Sequence, residues 1–219
     1  GKKLGIETPH TIELYDNSNI QGAYAVAGMV VYKDGVPSKK DYRKYKIKTV
    51  EGPDDYASMK EVIYRRYYRL LMEQKEMADL IIVDGGLGQI KVAKEVIDGL
   101  NLPVHICGLS KDDKHSTAML LDENGNQVPI DTKSPLFFLL TRMQDEVHRY
   151  AISFHRQVRS KSLFSSILDE VDGIGEARKK KLLNHFKRVK KMKEASLEEL
   201  EAVIPKNTAL KLYEVLHKE

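Results

Sequence analysis

Three ionisable side chains are placed where they could bind a metal ion. Asp16 follows the β-forming run Thr11–Tyr15, and Asp84 ends the apolar run Leu80–Val83. His148 falls within the longest helical pattern of the chain. Hard divalent cations prefer carboxylate oxygens, and a histidine adds a nitrogen ligand or a proton carrier that extends the preference from Mg²⁺ to Mn²⁺. Such a site would support the attack of water on a phosphodiester.

Asp84 alone also has a simpler interpretation. It precedes Gly85 and Gly86, and Asp-Gly is a common turn pair, so the carboxylate could merely start a turn or cap the next helix. The apolar run before it nevertheless predicts a buried central strand, and ligands bind at the carboxyl edge of such strands in open α/β folds.

The elements that would position these side chains follow the order βββαβα. Hydrophobic periodicity and turn residues predict strands 11–15, 25–32 and 42–50, a helix 56–76, a strand 80–84, a helix 89–100, a strand 104–109, a hairpin 118–130 and a helix from 135 to about 159. Asp54 or Asp55 would cap the first helix. This order predicts an α/β fold with a mixed sheet, in which the first and fourth strands come together.

The last of these helices carries a polar face. Four residues share it, at spacings of three, four and three positions: Asp145, His148, Ile152 and His155. A lone histidine in such a place is more often a packing residue than a ligand. Two histidines with an acidic neighbour strengthen the functional interpretation.

The sequence becomes basic after residue 155. From Arg156 onward the chain has 15 Lys and Arg against 10 Asp and Glu, a net charge of +5, whereas the first 155 residues have 21 against 22. A serine-rich stretch at 156–166 predicts a boundary between a domain at 1–157 and a small all-α domain at 158–219. Helices at 163–171 and 177–186 would flank one hairpin, and helices beginning at Ser196 and Thr208 would flank a second.

The first of these hairpins could bind a phosphate. Gly173 and Gly175 would expose backbone N–H groups, while Ile174 would anchor the turn inward. The next helix would direct its positive end to the same place, and it carries three consecutive basic residues: Arg178, Lys179 and Lys180. Such a contact holds a nucleic-acid backbone without reading its bases. A solvated helix face is the alternative for this basic run.

Composition excludes several other classes of protein. The single cysteine, Cys107, rules out a disulfide framework and a multi-cysteine zinc site, and its apolar neighbours predict a buried, inert thiol. No apolar run reaches the roughly 20 residues that cross a bilayer, so we expect a cytoplasmic protein with no membrane partner. The glycines after Asp84 lack the Gly-Lys-Ser/Thr of a P-loop. Because the chain begins without methionine, we expect it to be a piece of a longer protein.

Four ordered segments resemble the C-terminal half of the UvrC family, which supplies the incision subunit of bacterial nucleotide excision repair. They are YDNSNIQG at 15–22, GPDDY at 52–56, IVDGGLGQ at 82–89 and DEVHRYAISFHR at 145–156. The resemblance covers essentially the whole chain. It implies a ribonuclease H-like endonuclease domain followed by a tandem helix-hairpin-helix domain, and it implies a role in the DNA-damage (SOS) response, in which the protein cuts DNA on the 5′ side of a lesion.

The resemblance also assigns residues and partners. It implies a catalytic, metal-binding set of Asp16, Asp84 and His148 with Mg²⁺ or Mn²⁺. It adds an acidic position at Asp55, for which a capping role competes, and a supporting role for His155. The implied partners are damaged duplex, junction or bubble DNA and, in the full-length protein, a UvrB–DNA complex. We expect this stretch to lack the UvrB-docking segment and the GIY-YIG nuclease of the family.

One departure from the family and one alternative function stay open. The second hairpin has Pro205-Lys206-Asn207 in place of a glycine-bearing turn, which leaves its contact with phosphate in question. The alternative for the whole chain is a non-catalytic DNA-binding module, in which the acidic strand ends only cap helices.

Overall fold

The computed structural model describes residues 1–18, 25–50, 52–111 and 118–217. Residues 19–22, which belong to the first UvrC-like segment, lie outside that set. The chain divides into two compact units, Gly1–His155 and Arg156–Glu219. None of the described helices is both long enough and apolar enough to span a membrane.

Within the described residues, eight strands form one mixed sheet. Their bounds are Thr11–Ser18 (β1), Val26–Lys33 (β2), Val36–Pro37 (β3), Arg43–Lys46 (β4), Leu80–Asp84 (β5), His105–Lys111 (β6), Ala118–Leu121 (β7) and Gln127–Val128 (β8). The order across the sheet is β3-β2-β1-β5-β6-β7-β8, and β4 also pairs with β2. β1 is antiparallel to β2 but parallel to β5. The prediction that the first and fourth predicted strands are neighbours is confirmed.

Three helices cover this sheet. They are α1 (Asp55–Met72), α2 (Leu87–Gly99) and α3 (Pro135–Asp169). α1 and α2 share a hydrophobic cluster with one face of the sheet, and α3 shares another with the opposite face. The predicted α/β architecture, a ribonuclease H-like mixed sheet flanked by helices, is confirmed.

β5 is a buried central strand because its neighbours flank it and helices cover both of its faces. Ile81 and Val83 belong to the cluster of α1 and α2, whereas Leu80 and Ile82 belong to the cluster of α3. Successive side chains of a strand point to opposite faces, so an uninterrupted apolar run is what a strand between two helical layers requires.

The strand predicted at 42–50 is too long. Regular pairing of β4 with β2 ends at Lys46. Beyond that point the backbone N–H groups of Lys48 and Thr49 donate to the Glu61 carboxylate of α1, at 3.0 and 2.9 Å. A side-chain acceptor on a helix therefore replaces the strand partner that alternation alone would predict.

α3 is longer than predicted. The sequence predicts a helix end near Arg159 and a separate helix at 163–171, whereas one helix continues to Asp169. Neither glycine nor proline interrupts 156–166, and serine is only a weakly unfavourable helix residue. Phe164 and Leu168 lie four residues apart and are both buried, so packing on one side stabilises the continuation.

Short helices make up the rest of the second unit. After α3 come α4 (Glu176–Phe186), α5 (Val189–Lys193), α6 (Leu197–Glu201) and α7 (Lys206–Leu216), whose apolar side chains form one cluster with the end of α3. The predicted capping box is present, because Ser196 and Glu199 each accept the other's backbone N–H. α5 is not predicted from the sequence, since Met192 is the one buried residue of this five-residue helix.

Cys107 lies in β6 and is fully buried. Burial raises the pKa of its thiol to about 12, so the reactive thiolate is scarce at neutral pH. The prediction of a buried thiol is confirmed.

Candidate metal centre

The ends of β1 and β5 bring two carboxylates to one edge of the sheet. Tyr15 pairs with Val83 in the parallel ladder, so the next residues, Asp16 and Asp84, lie side by side. Because side chains alternate along a strand, both carboxylates point to the face that α3 covers.

α3 supplies the third group of the site. His148 lies 132 positions from Asp16 in the sequence, and its Nδ1 is 3.0 Å from Asp16 Oδ2. One ligand atom from each of Asp16, Asp84 and His148 can be chosen so that all three lie within 4.8 Å of one another. The Asp16 side chain is 9% exposed and that of His148 is 57% exposed. The site is therefore buried on the side of Asp16 and open to solvent on the side of His148.

Gln144 holds the second carboxylate in place. It lies one helical turn before His148, is buried, and donates from Nε2 to Asp84 Oδ1 at 2.7 Å. Gln144 is not among the site residues predicted from the sequence. Its position could have indicated it, because a residue four positions before His148 lies on the same helix face. An amide side chain, however, is not a typical metal ligand.

The electrostatics of the site favour a cation. Burial and the neighbouring charges of Asp84 and Asp55 raise the pKa of Asp16 to about 7, while the hydrogen bond and charge of His148 act in the opposite direction. A carboxyl group with a raised pKa is one whose negative charge is poorly compensated. A divalent cation between these oxygens would supply that compensation.

Asp55 stands beside this cluster but does not belong to it. It is the first residue of α1, and its backbone carbonyl accepts a hydrogen bond from Asn17 Nδ2 at 2.9 Å. Its negative charge contributes to the raised pKa of Asp16. The predicted acidic position is therefore near enough to act electrostatically on Asp16, and its catalytic role stays a prediction.

The N-caps of α1 and α2 are residues other than Asp55 and Asp84. Asp54 is the N-cap of α1, with its Oδ1 accepting from the backbone N–H of Ala57 at 2.9 Å. The N-cap of α2 is Gly86, and no side chain caps that helix. The prediction that Asp54 or Asp55 caps α1 is therefore confirmed for Asp54, and the capping interpretation of Asp84 is wrong.

The other two polar residues of the predicted helix face lie apart from the metal centre. Asp145 is exposed and is not part of the cluster of ligand atoms. His155 is 1% exposed, and its two ring nitrogens have no hydrogen-bond partner among the described residues. The supporting role expected for His155 stays a prediction.

The predicted phosphate-binding hairpin follows α3. Ile174 is buried, and Gly173 has a φ of +91°, which requires glycine at this turn. The Arg178 guanidinium donates a hydrogen bond to the Gly173 carbonyl and so stabilises the turn.

The two lysines after Arg178 differ in their surroundings. Lys179 forms ion pairs with Asp169 and Glu176, and its side chain is only 16% exposed. Lys180 is exposed. Of these two lysines, Lys180 is better placed to meet a phosphate.

A mixed sheet of this order has helices on both faces, an aspartate on each of two adjacent central strands and a histidine on the helix that covers one face, an arrangement typical of ribonuclease H-like endonuclease domains. Residues 1–152 match the UvrC RNase H endonuclease domain, and the chain belongs to that family. Membership of an endonuclease family supports a nuclease role for this chain.

Several solved structures are similar to this chain at low sequence identity. Ciona intestinalis endonuclease V, in complex with a 24mer DNA containing an inosine followed by a ribo-adenosine, is 15% identical with a TM-score of 0.37, and the alignment covers 48% of each chain. Human ENDOV is 15% identical with a TM-score of 0.34, over 54% of this chain and 61% of that one. Kluyveromyces polysporus Argonaute with a guide RNA is 14% identical with a TM-score of 0.31, over 59% of this chain and 19% of that one. The chain thus spans about half the length of the first of these proteins.

Proposed function

We propose that this chain is a divalent-metal-dependent DNA endonuclease joined to a helix-hairpin-helix DNA-binding tail, and that it makes the 5′ incision in bacterial nucleotide excision repair. The observation that carries the proposal is the convergence of Asp16, Asp84 and His148 within 4.8 Å. These side chains come from two strands and a helix that are distant in sequence, and they meet at the carboxyl edge of the sheet.

The donor set suits Mg²⁺ or Mn²⁺. Two carboxylates supply the oxygen ligands that these ions prefer, and His148 adds a nitrogen that Mn²⁺ accepts more readily than Mg²⁺ does. The raised pKa of the buried Asp16 carboxyl fits a group whose charge a cation is meant to balance. When bound, the cation would neutralise charge that develops on the phosphodiester and lower the pKa of the attacking water.

Hydrogen bonds between α3 and the two strands fix the orientation of two groups at the site. Gln144 fixes the orientation of the Asp84 carboxylate through its hydrogen bond. Asp16 orients the ring of His148 through a hydrogen bond to its Nδ1, and this ring is more than half exposed to solvent. Buried partners on regular elements keep both groups positioned before a substrate arrives.

The second unit supports DNA as the substrate. Between Arg178 and Lys193 it carries nine basic residues and no acidic one. Gly173 and Gly175 leave backbone approachable beside the start of α4, where N–H groups favour an anion. In the full-length protein, a UvrB–DNA complex would present the damaged strand, as the family resemblance implies.

Metal-dependent nicking of DNA tests the proposal. The chain would be incubated with end-labelled nicked or bubble DNA and Mn²⁺ or Mg²⁺, beside Asp84→Asn and the matched control Asp98→Asn. Asp98 is an exposed carboxylate of α2, outside the cluster, so its variant should nick like the parent. We expect cleavage that requires the metal, falls on the 5′ side of the bubble, and is lost in Asp84→Asn. Absence of metal-dependent nicking, or equal nicking by Asp84→Asn, would contradict the proposal.

A further inference from the structure

A cavity of about 700 Å³ opens beside the candidate metal centre. Two segments line it, residues 53–56 at the start of α1 and residues 85–89 at the start of α2. One wall includes Asp55, whose charge reaches Asp16, and another begins at Gly85, directly after Asp84. Whatever occupies this cavity would lie next to the bond that the proposed endonuclease cuts.

An aromatic side chain forms part of the cavity wall. A methyl group at Gly88 would lie 2.4 Å from Cε1 and 2.8 Å from Oη of Tyr56, so the tyrosine ring rests directly against the glycine backbone. Tyr56 is nevertheless 55% exposed. The ring is therefore held in place by α2 while much of its surface stays open to a ligand.

The charge of the lining indicates which part of a nucleotide fits here. The nine described residues that line the cavity include two carboxylates, Asp54 and Asp55, and neither lysine nor arginine. These carboxylates disfavour a phosphate beside the ring of Tyr56, whereas a nucleobase is uncharged and stacks on an exposed aromatic ring. Gly86 adds open space, because no atom of the part of the chain that the structure describes lies within 4 Å of a methyl group placed there.

We propose that Tyr56 is a stacking platform for the nucleobase next to the scissile phosphate, and that Gly88 is the glycine that lets the ring take up this position. The inference rests on the proposed endonuclease function and adds a substrate-positioning residue to it. Stacking is independent of sequence, since every base has an aromatic face, so this contact would position the strand without selecting its bases.

A fluorescent base measures this contact directly. Bubble DNAs with 2-aminopurine at successive single positions around the cleavage point would be titrated with the chain in EDTA, so that binding is observed without cutting. We expect quenching at one position adjacent to the cut, with the quenching lost in Tyr56→Ala and retained in Tyr56→Phe. Removing the ring should weaken binding of the strand by roughly fivefold to a hundredfold.

Two further variants separate stacking from a general loss of structure. Tyr64→Ala removes another exposed tyrosine of α1, which stacks on Tyr68 with ring centroids 5.4 Å apart, and should leave the signal unchanged. Gly88→Ala displaces the Tyr56 ring and should reduce quenching in the parent but have no added effect in Tyr56→Ala. Thermal unfolding of each variant establishes that it is folded.

The outcomes distinguish this inference from the proposed function. Quenching that depends on Tyr56 in a protein that never nicks DNA would support the stacking site and contradict the endonuclease. Metal-dependent nicking without any position whose quenching differs between the parent and Tyr56→Ala would overturn the stacking site alone. Loss of the signal in Tyr56→Phe as well would also overturn it, because that variant keeps the ring.

Discussion

β1 carries two buried carboxylates on its opposite faces, and their surroundings differ sharply. Glu13 is 2% exposed and faces α1, whereas Asp16 is 7% exposed and faces α3. Both come from one strand, three positions apart. Their comparison separates a carboxylate that stabilises the fold from one that is available for chemistry.

An ion pair and hydrogen bonds within the protein compensate the negative charge of Glu13. Its Oε2 accepts hydrogen bonds from the hydroxyls of Tyr15 at 2.7 Å and Tyr67 at 2.9 Å, and its Oε1 accepts from the Arg66 guanidinium at 2.7 and 3.1 Å. A buried charge with a cation and several donors around it is satisfied, so it has no need of a ligand.

Asp16 instead has other carboxylates nearby. Burial, together with the charges of Asp84 and Asp55, raises its pKa to about 7, and its hydrogen-bond partner is a histidine rather than an arginine. Burial alone therefore does not mark a functional site in this protein. The distinguishing feature is a buried negative charge that the fold leaves for a cation to balance.

The largest expected effect comes from removing a carboxylate of the metal centre. Asp16→Asn should lower metal-dependent nicking on the order of a thousandfold, because a metal ion supplies several kcal/mol of transition-state stabilisation. Its metal-free stability should not fall, since a poorly compensated charge is removed. Nicking rates and thermal unfolding in EDTA measure the two effects, and a destabilised Asp16→Asn would contradict the comparison with Glu13.

Glu13→Gln should show the opposite behaviour. Breaking a buried ion pair by removing one partner costs about 3–5 kcal/mol, so the free energy of unfolding should drop by that order while nicking per folded molecule is retained. Denaturant unfolding gives the loss of stability. The exposed pair of Lys60 and Glu95 provides the control, because Glu95→Gln should change stability by less than about 1 kcal/mol. If Glu13→Gln and Glu95→Gln lower the free energy of unfolding equally, burial is not the reason that Glu13 stabilises the fold.

Gln144→Leu tests whether a supporting residue tunes the metal centre. Loss of the hydrogen bond to Asp84 should weaken Mn²⁺ binding by about 10–100-fold, since outer partners of ligating carboxylates orient them. Isothermal titration with Mn²⁺ measures the change. Gln144→Glu offers a useful contrast, because it adds a carboxylate rather than an apolar side chain. Unchanged Mn²⁺ affinity in Gln144→Leu would show that Gln144 does not support metal binding.

The raised pKa of Asp16 predicts how stability depends on pH. A carboxyl whose pKa is 3.8 when unfolded and about 7 when folded stabilises the protein below pH 4, and this contribution is lost as pH rises to about 7. In EDTA, the parent should therefore gain about 2–3 kcal/mol relative to Asp16→Asn between pH 8 and pH 5. Parallel pH profiles for the two proteins would be evidence that Asp16 is not perturbed.

The smallest expected effect concerns the tail. Lys180→Glu should weaken DNA binding by less than about tenfold at low salt and reduce the salt dependence, while the fold stays intact. Lys179→Glu should also destabilise the second unit, because its ion pairs with Asp169 and Glu176 become repulsive. DNA titrations at several salt concentrations, with unfolding curves, distinguish the two. Identical behaviour of the two variants would contradict the different surroundings of the two lysines.

Much of the metal centre could be predicted from sequence because its parts have strong local signals. The uniform apolar run before Asp84 predicts a central strand, and the element order places Asp16 beside it. His148 required the family resemblance as well, since no local pattern tells which residue of a long helix will face the strand ends.

The remaining features depend on contacts that local patterns do not encode. The end of β4 is decided by Glu61, which lies on another element, and the length of α3 by packing around Phe164. The choice of Asp54 over Asp55 as a cap depends on backbone geometry at one residue. The contact between Tyr56 and Gly88 joins two helices, so neither segment alone predicts it.

Anomalous diffraction from crystals soaked in Mn²⁺ shows directly whether Asp16, Asp84 and His148 bind a metal ion. We predict a manganese peak between the Asp16 and Asp84 carboxylates and His148, which disappears in Asp84→Asn crystals, at concentrations that support nicking. A manganese ion bound elsewhere, or no ion at these residues under conditions in which the protein cuts DNA, would contradict the account.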